Sequence, residues 1–296
     1  MPPPKPLEVR DLRKQFGSVA ALRGVGFDVE RGEVFGYLGP NGAGKTTTLR
    51  IALGLVRPTS GAAFVFGRAP TEAASRNDIG FLPGDLRLYG DMTAIAALDF
   101  FARFRPSAPP VLRDSLMDWL ALDSATLQRR VKFLSHGTRQ KIGLIAAMQH
   151  DPALLLLDEP SNGLDPLVQQ AFRDIVRGFA ERGRSVLLSS HVLSEVETVC
   201  RRVAILKEGE IVALETIENL RNKLLRKLTV RFRGEAPDLS QVPGISRCEA
   251  NGQVAVLWVR GDLNALLRTL AQAEIDEMVF PEPELEDIFL SYYQNA

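Results

Sequence analysis

The fold is decided by one stretch of sequence, Val34-Phe35-Gly36-Tyr37-Leu38-Gly39-Pro40-Asn41-Gly42-Ala43-Gly44-Lys45-Thr46-Thr47. An apolar run opens it and predicts a strand, and a helix is predicted from Lys45 to Leu53. The turn between them matches the pattern G-x-x-x-x-G-K-[ST]. Glycines let a backbone wrap closely around phosphate, and a helix N-terminus is positively polarised. We therefore expect Lys45 to contact phosphate oxygens and the Thr46 hydroxyl to bind Mg²⁺.

A second apolar run ends in two acids. Leu154–Leu157 consists only of leucine and is followed by Asp158 and Glu159. A run without polar alternation is typical of a central strand that is covered on both faces. Because carboxylates at a buried sheet edge require a cation, we predict that Asp158 holds Mg²⁺. Glu159 is then placed to polarise the water that attacks a phosphate.

The two runs belong to a longer alternation of strands and helices within residues 1–217. This order predicts an α/β domain with a largely parallel sheet. The pattern is helical from about residue 91 to 150, which indicates a helical insertion in that domain. A small α+β domain is predicted for residues 218–296, with strands Leu228–Phe232, Val254–Val259 and Ile275–Phe280 and helices Leu263–Ala273 and Glu284–Tyr293.

Composition narrows the class of protein. The 296 residues include 36 Lys and Arg and 36 Asp and Glu, so the net charge is zero and gives no sign of a large nucleic-acid surface. The two cysteines, Cys200 and Cys248, lack ligand spacing and suit a reducing compartment. No apolar run approaches the ~18 residues of a membrane span, so any membrane role is expected from a peripheral position.

Five further segments, together with the glycine-rich turn and the acidic strand end, give the chain a resemblance to the ATP-binding-cassette (ABC) ATPases. They are Lys14–Gly17, Ile79–Pro83, Leu134–Gln140, Ser161–Asp165 and His191. The resemblance implies a P-loop NTPase core whose mostly parallel sheet carries antiparallel strands on its N-terminal side. It also implies catalysis by Glu159 with His191 as the switch histidine. The implied ATP contacts are Phe16, Gly39, Pro40, Asn41, Gly42, Ala43, Gly44, Lys45, Thr46, Thr47, Ser135, Gly137 and Asp165.

The resemblance further implies a head-to-tail homodimer. Ser135 is a good N-cap, so the helix after it offers N–H groups and a positive end to an anion. In the family, this helix end covers the γ-phosphate that the partner binds. Three positions depart from the family pattern: Gly84 stands where Gln or Glu is usual, and His136 and Thr138 replace signature residues. Asp85 is our candidate to supply the metal ligand that Gly84 lacks.

The segments around Asp158–Pro166 and Ser190–Glu197 resemble the bacterial exporter branch of the family. That branch implies a cytoplasmic, membrane-peripheral subunit that drives a separately encoded permease. The segment Ala94–Phe104 is a candidate for the groove that receives the permease, although its phenylalanines also suit a core. The tail segment Leu285–Leu290 resembles the end of the C-terminal domain of that branch. The alternative is an ABC ATPase that acts as an ATP-dependent regulatory switch.

Overall fold

The computed structural model describes residues 3–105, 108–223, 226–239, 242–259 and 263–281. The chain divides into two compact units, Met1–Leu214 and Glu215–Ala296. The division falls shortly before the domain boundary that we expected after residue 217.

The first unit contains two sheets. Its strands in chain order are β1 (Leu7–Phe16), β2 (Val19–Val29), β3 (Val34–Leu38), β4 (Ser60–Val65), β5 (Ile79–Leu82), β6 (Leu154–Asp158), β7 (Ser185–Ser190), β8 (Arg202–Lys207) and β9 (Glu210–Thr216). The larger sheet has the order β5-β6-β7-β3-β8-β9, and its β5-β6, β6-β7, β7-β3 and β3-β8 pairs are all parallel. The smaller sheet, β2-β1-β4, is antiparallel, as the resemblance implies.

Three central strands of the larger sheet are buried along their full length. Every residue of β3, β6 and β7 is buried. Parallel strands end at the same edge of a sheet, and ligands of open α/β sheets bind beyond that edge. The glycine-rich turn, Asp158 and Ser190 are far apart in sequence. The carboxyl ends of these three strands bring them together at one edge of the sheet.

Helices surround these strands. They are α1 (Lys45–Ala52), α2 (Ala73–Arg76), α3 (Ala94–Arg103), α4 (Arg113–Trp119), α5 (Ser124–Gln128), α6 (His136–Met148), α7 (Pro166–Glu181) and α8 (Leu193–Val199). The described residues between β5 and β6 contain α3 to α6 and the short 3-10 helix Val131–Phe133, but no strand. Over the whole described chain, no helix is both long enough and apolar enough to cross a membrane.

The hairpin of β1 and β2 is longer than the sequence pattern predicts. We expected strands over Leu7–Leu12 and Gly26–Val29, whereas β1 continues to Phe16 and β2 begins at Val19. More than half of the added residues are exposed, and the β1-β2 register shifts at several points. These irregularities remove the two-residue alternation on which strand prediction depends.

The second unit is a four-stranded antiparallel sheet with helices. Its elements are α9 (Ile217–Lys223), β10 (Arg226–Phe232), β11 (Ile245–Asn251), β12 (Val254–Val259), α10 (Asn264–Leu270) and β13 (Ile275–Val279). The strand order is β11-β12-β10-β13. Leu266 and Leu270 of α10 join the apolar cluster formed by the buried face of the sheet. The sequence missed β11 because it is a largely exposed edge strand. The expected helix Glu284–Tyr293 and the segment Leu285–Leu290 lie outside the described residues.

Candidate nucleotide site

The glycine-rich turn connects β3 to α1 and is tightly enclosed. Gly44 caps α1 with φ of 110°, and a Cβ atom there would lie 2.6 Å from the carbonyl oxygen of Ala21. At Gly39, a Cβ atom would lie 2.5 Å from the carbonyl oxygen of Leu206. Side chains are therefore excluded at both positions by neighbouring backbone. The backbone of the turn remains available to face a ligand.

A pocket of about 180 Å³ opens over this turn. Its lining residues are Ala21, Pro40, Asn41, Gly42, Gly44, Lys45, Thr46, Thr47 and Glu159. Ala43 is buried below it, where its carbonyl oxygen accepts a hydrogen bond from Gly209 N at 3.0 Å. Most residues expected at the phosphate loop thus line one concave surface with Glu159, whereas Gly39 and Ala43 are not part of its lining.

Lys45 is the cation of this pocket. Its side chain is 6% exposed, and its Nζ donates to the carbonyl oxygens of Gly39 at 2.5 Å and Pro40 at 3.2 Å. The same Nζ lies 3.1 Å from Glu159 Oε1. A buried ammonium needs such oxygen partners, and phosphate oxygens are chemically equivalent acceptors. Lys45 can therefore exchange these partners for a phosphate group.

Thr46 and Asp158 meet beside Lys45. The Thr46 hydroxyl donates to Asp158 Oδ2 at 2.7 Å, and the Ser189 hydroxyl donates to Oδ1 at 2.5 Å. Asp158 is 1% exposed, so its carboxylate is held in place by two hydroxyl groups. A hydroxyl and a carboxylate oxygen are the hard ligands that Mg²⁺ prefers, usually together with substrate phosphates and water. The donor set fits Mg²⁺ at this point.

Glu159 sits between Lys45 and His191. Its Oε2 lies 2.6 Å from His191 Nδ1, and its side chain is 14% exposed. Its Oε1 faces the Lys45 ammonium but makes no well-formed hydrogen bond. The backbone of Glu159 has φ of 51°, which is unusual for a residue other than glycine, and its N–H donates to Ser189 O at 3.1 Å. Left-handed backbone of this kind is found at functional sites, where the surroundings hold it.

Ser135 and Asp165 begin the helices α6 and α7. Ser135 Oγ accepts a hydrogen bond from Thr138 N at 3.1 Å, and Asp165 Oδ1 accepts one from Val168 N at 3.0 Å. Ser135 is exposed, and Gly137 packs so closely that a Cβ atom there would lie 2.5 Å from Gly163 O. Ser135 and Asp165, which are predicted to contact ATP, therefore also cap helices.

Phe16, at the end of β1, is 50% exposed, and Lys14 Nζ lies 4.7 Å from the centre of its ring. Asp85 is exposed, and its Oδ2 accepts hydrogen bonds from the Arg87 guanidinium at 2.8 and 3.0 Å. A Cβ atom at Gly84, in contrast, would lie 3.3 Å from Asp158 Oδ2. The role of Asp85 as a metal ligand stays a hypothesis.

Ser189 is a site residue that the sequence analysis missed. A signal for it was present, because Ser189 and Ser190 follow the apolar part of β7 and so break the apolar run at the carboxyl end of a buried strand. Only the β6-β7 pairing, in which Asp158 is opposite Ser189, makes the serine hydroxyl a partner of the carboxylate.

The fold and the site define a P-loop ATPase. The particular family is established by comparison. Residues 22–162 match the family model described as ABC transporter. A Bacillus subtilis protein, the uncharacterized ABC transporter ATP-binding protein YdbJ, is 39% identical over 96% of this chain and 94% of its own length. The Nod factor export ATP-binding protein I of Cupriavidus pinatubonensis is 31% identical over 96% of this chain and 89% of its own. The chain belongs to the ABC transporter family as an ATP-binding subunit.

Solved structures agree with this assignment. The structure of an ATP-binding subunit of an ABC transporter superposes with a TM-score of 0.68 at 30% identity, covering 73% of this chain and 92% of that one. A bacterial ABC transporter cassette described as dimeric has the same fold, with a TM-score of 0.63 at 22% identity over 71% of this chain and 98% of that one. The chain is an ATPase of this family.

Proposed function

We propose that this chain is the ATP-hydrolysing subunit of an exporter and that two copies close around ATP to drive a separate membrane permease. The observation that carries the proposal is the cluster at the carboxyl ends of β3, β6 and β7. Contacts of 2.6 to 3.1 Å join the pairs Lys45–Glu159, Thr46–Asp158 and Glu159–His191 there. Few structural roles would require a buried cation, a hydroxyl and two adjacent acids at one pocket.

The chemistry of these residues suits phosphoryl transfer to water. Lys45 places a positive charge next to the β and γ phosphates as negative charge shifts in the transition state. Thr46 and Asp158 would hold Mg²⁺, which when bound neutralises charge on the phosphate oxygens. Glu159 lines the pocket, and its carboxylate would accept a proton from the attacking water. His191 keeps the Glu159 carboxylate in place through its Nδ1 contact.

The second half of the site is assigned to another copy of the chain. Ser135 and Gly137 are at the N-terminus of α6, a 13-residue helix whose positive end favours the γ-phosphate. Asp165 is expected near them, since the loop that precedes α7 packs on the first turn of α6, where a Cβ atom at Gly137 would lie 2.5 Å from Gly163 O. Phe16 would stack on adenine. The dimer would close around ATP and open again after hydrolysis, and this cycle of closing and opening would drive the permease.

The permease is expected to dock on aromatic residues of the helical insertion. The rings of Tyr89 and Phe104 each contact Phe100 edge-on, with centroids 5.1 and 5.0 Å apart. Tyr89 is 58% and Phe104 is 67% exposed, so the patch is not part of the core. Exposed apolar patches mark interaction sites. Similarity to an export protein over nearly the whole chain supports an exporter that this subunit joins at the cytoplasmic face of the membrane.

Co-expression with a membrane-protein gene taken from the neighbouring open reading frames tests the proposal. The tagged chain should copurify with that protein from detergent-solubilised membranes, and Phe104→Ser should abolish copurification while leaving ATP hydrolysis intact. Leu55→Ser is the matched control, because Leu55 is 65% exposed and lies just beyond α1. Recovery with ribosomes or DNA instead of a membrane protein would favour the regulatory switch and refute the exporter.

A further inference from the structure

Gln140 connects α6 to the residue that follows Glu159. Its side chain is buried at 4% exposure, and its Nε2 donates to the carbonyl oxygen of Pro160 at 2.9 Å. Gln140 lies in the second turn of α6, the helix that Ser135 caps. A buried amide on one helix thus holds the backbone directly after the proposed catalytic base.

Two more contacts hold the loop that follows Glu159 against the first turn of α6. Gly137 packs against the carbonyl oxygen of Gly163, and the His136 imidazole covers the position that a Cβ atom of residue 163 would take. Within the loop, Asn162 N donates to Glu159 O and Leu164 N donates to Ser161 O. The loop from Glu159 to Leu164 is therefore held both by its own turns and by α6.

Glu159 depends on such support because its backbone is in the left-handed region, with φ of 51°. A residue with a Cβ atom adopts this conformation at a cost of about 1 to 3 kcal/mol, and it persists only where neighbours over-determine it. Ser189 O accepts the Glu159 N–H on one side. Gln140 fixes the Pro160 carbonyl on the other side. Without the Gln140 side-chain amide, the carbonyl group of Pro160 is no longer held in place.

We propose that Gln140 is a positioning residue for Glu159. The proposal rests on the proposed function. The tip of α6 faces the nucleotide held by the partner, whereas Gln140 in the next turn acts on the Glu159 of its own chain. Engagement of the γ-phosphate by one α6 tip is thereby transmitted to the catalytic base of the other site. The two sites of the dimer become coupled through a single helix.

The test replaces Gln140 with methionine, which keeps the length of the side chain and removes the donor. Glu159 then loses alignment with the attacking water, and misplacement on the order of 1 Å costs up to about a hundredfold in rate. We expect Gln140→Met to lower kcat by about tenfold to a hundredfold with the Kd for ATP unchanged, because the phosphate loop is untouched.

Gln149→Met is the matched control. Gln149 is also buried, at 1% exposure, and ends the same helix, where its Nε2 donates to Leu98 O at 3.2 Å and its Oε1 accepts from Arg113 Nε at 2.8 Å. Its substitution removes two hydrogen bonds and should lower the Tm at least as much as Gln140→Met. Its kcat should match that of the wild type. Equal losses of kcat in both variants would reduce Gln140 to a stabilising residue and overturn the proposal.

A second measurement separates this proposal from the proposed function. In a Glu159→Gln background, Gln140→Met should leave the ATP-induced dimer intact on size exclusion, since Ser135 and Lys45 are retained. A Glu159→Gln parent that stays monomeric with Mg-ATP would refute the ATP-clasped dimer and with it the coupling between sites. A dimeric parent combined with normal kcat in Gln140→Met would refute only the role of Gln140.

Discussion

Replacing Glu159 with glutamine changes two interactions at once. The substitution keeps the shape of the side chain. It removes the negative charge that lies 3.1 Å from Lys45 Nζ, and it weakens the interaction with His191 Nδ1, which lies 2.6 Å from Glu159 Oε2. A neutral amide no longer accepts a proton from water. The carboxylate also competes with phosphate for the Lys45 ammonium, and this competition ends in the variant.

The structure sets the size of both effects. Loss of a general base lowers kcat by about a hundredfold to ten-thousandfold. Full charges 3.1 Å apart interact by about 5 kcal/mol at an effective dielectric constant of 20. Desolvation offsets most of this energy, and Lys45 keeps its two carbonyl partners. A net gain of about 1 to 2 kcal/mol remains, which corresponds to about fivefold to thirtyfold tighter ATP binding.

The assay combines phosphate release, ATP titration and size exclusion with Mg-ATP. Glu159→Gln should lose turnover, bind ATP more tightly and elute as a dimer. Glu33→Gln is the matched control: Glu33 is buried at 7% exposure, contacts Arg202 at 3.2 Å and lies at the opposite end of β3. It should lower stability while turnover stays normal. Normal turnover in Glu159→Gln would remove this residue as the base, and weaker ATP binding would refute the competition for Lys45.

Three further changes test other parts of the molecule. Lys45→Ala should weaken ATP binding by about a hundredfold in a fluorescent-nucleotide titration, because two or more charge-assisted phosphate contacts are lost; unchanged affinity would contradict the phosphate-loop assignment. Asp85→Ala should slow hydrolysis at limiting Mg²⁺ if Asp85 supplies a metal ligand, and an unchanged rate would end that hypothesis. Burial, reinforced by the Arg105 charge, lowers the pKa of His150 from 6.5 to about 4. The unfolded chain then binds this proton more readily between those values, so the free energy of unfolding should fall by about 2 to 3 kcal/mol as the pH drops from 6.5 to 4. Urea titrations at pH 6.5 and pH 4 measure this fall in the free energy of unfolding. His150→Gln should remove about 2 to 3 kcal/mol of it. The same fall in the variant as in the wild type would exclude His150 as its origin.

Much of the first unit was predictable from local sequence. Apolar runs at β3 and β6 identified central strands because burial on both faces leaves no polar alternation. The prediction was poorest at the exposed ends of the β1-β2 hairpin and at β11. The pairing of edge and bulged strands is set by the neighbouring strands, so the register shifts of the hairpin and the exposed strand β11 leave little regular pattern in their own sequences.

The candidate site divides in the same way. The sequence by itself determined the phosphate loop, the two acids after β6 and Ser135 as a helix cap, since each depends on adjacent residues. Only the tertiary structure decided that the Ser189 hydroxyl holds Asp158, that Glu159 lies between Lys45 and His191, and that Gln140 supports the peptide after Glu159. These contacts join residues about 20 to 110 positions apart, and they exist because parallel crossovers return separate strands to one edge of the sheet.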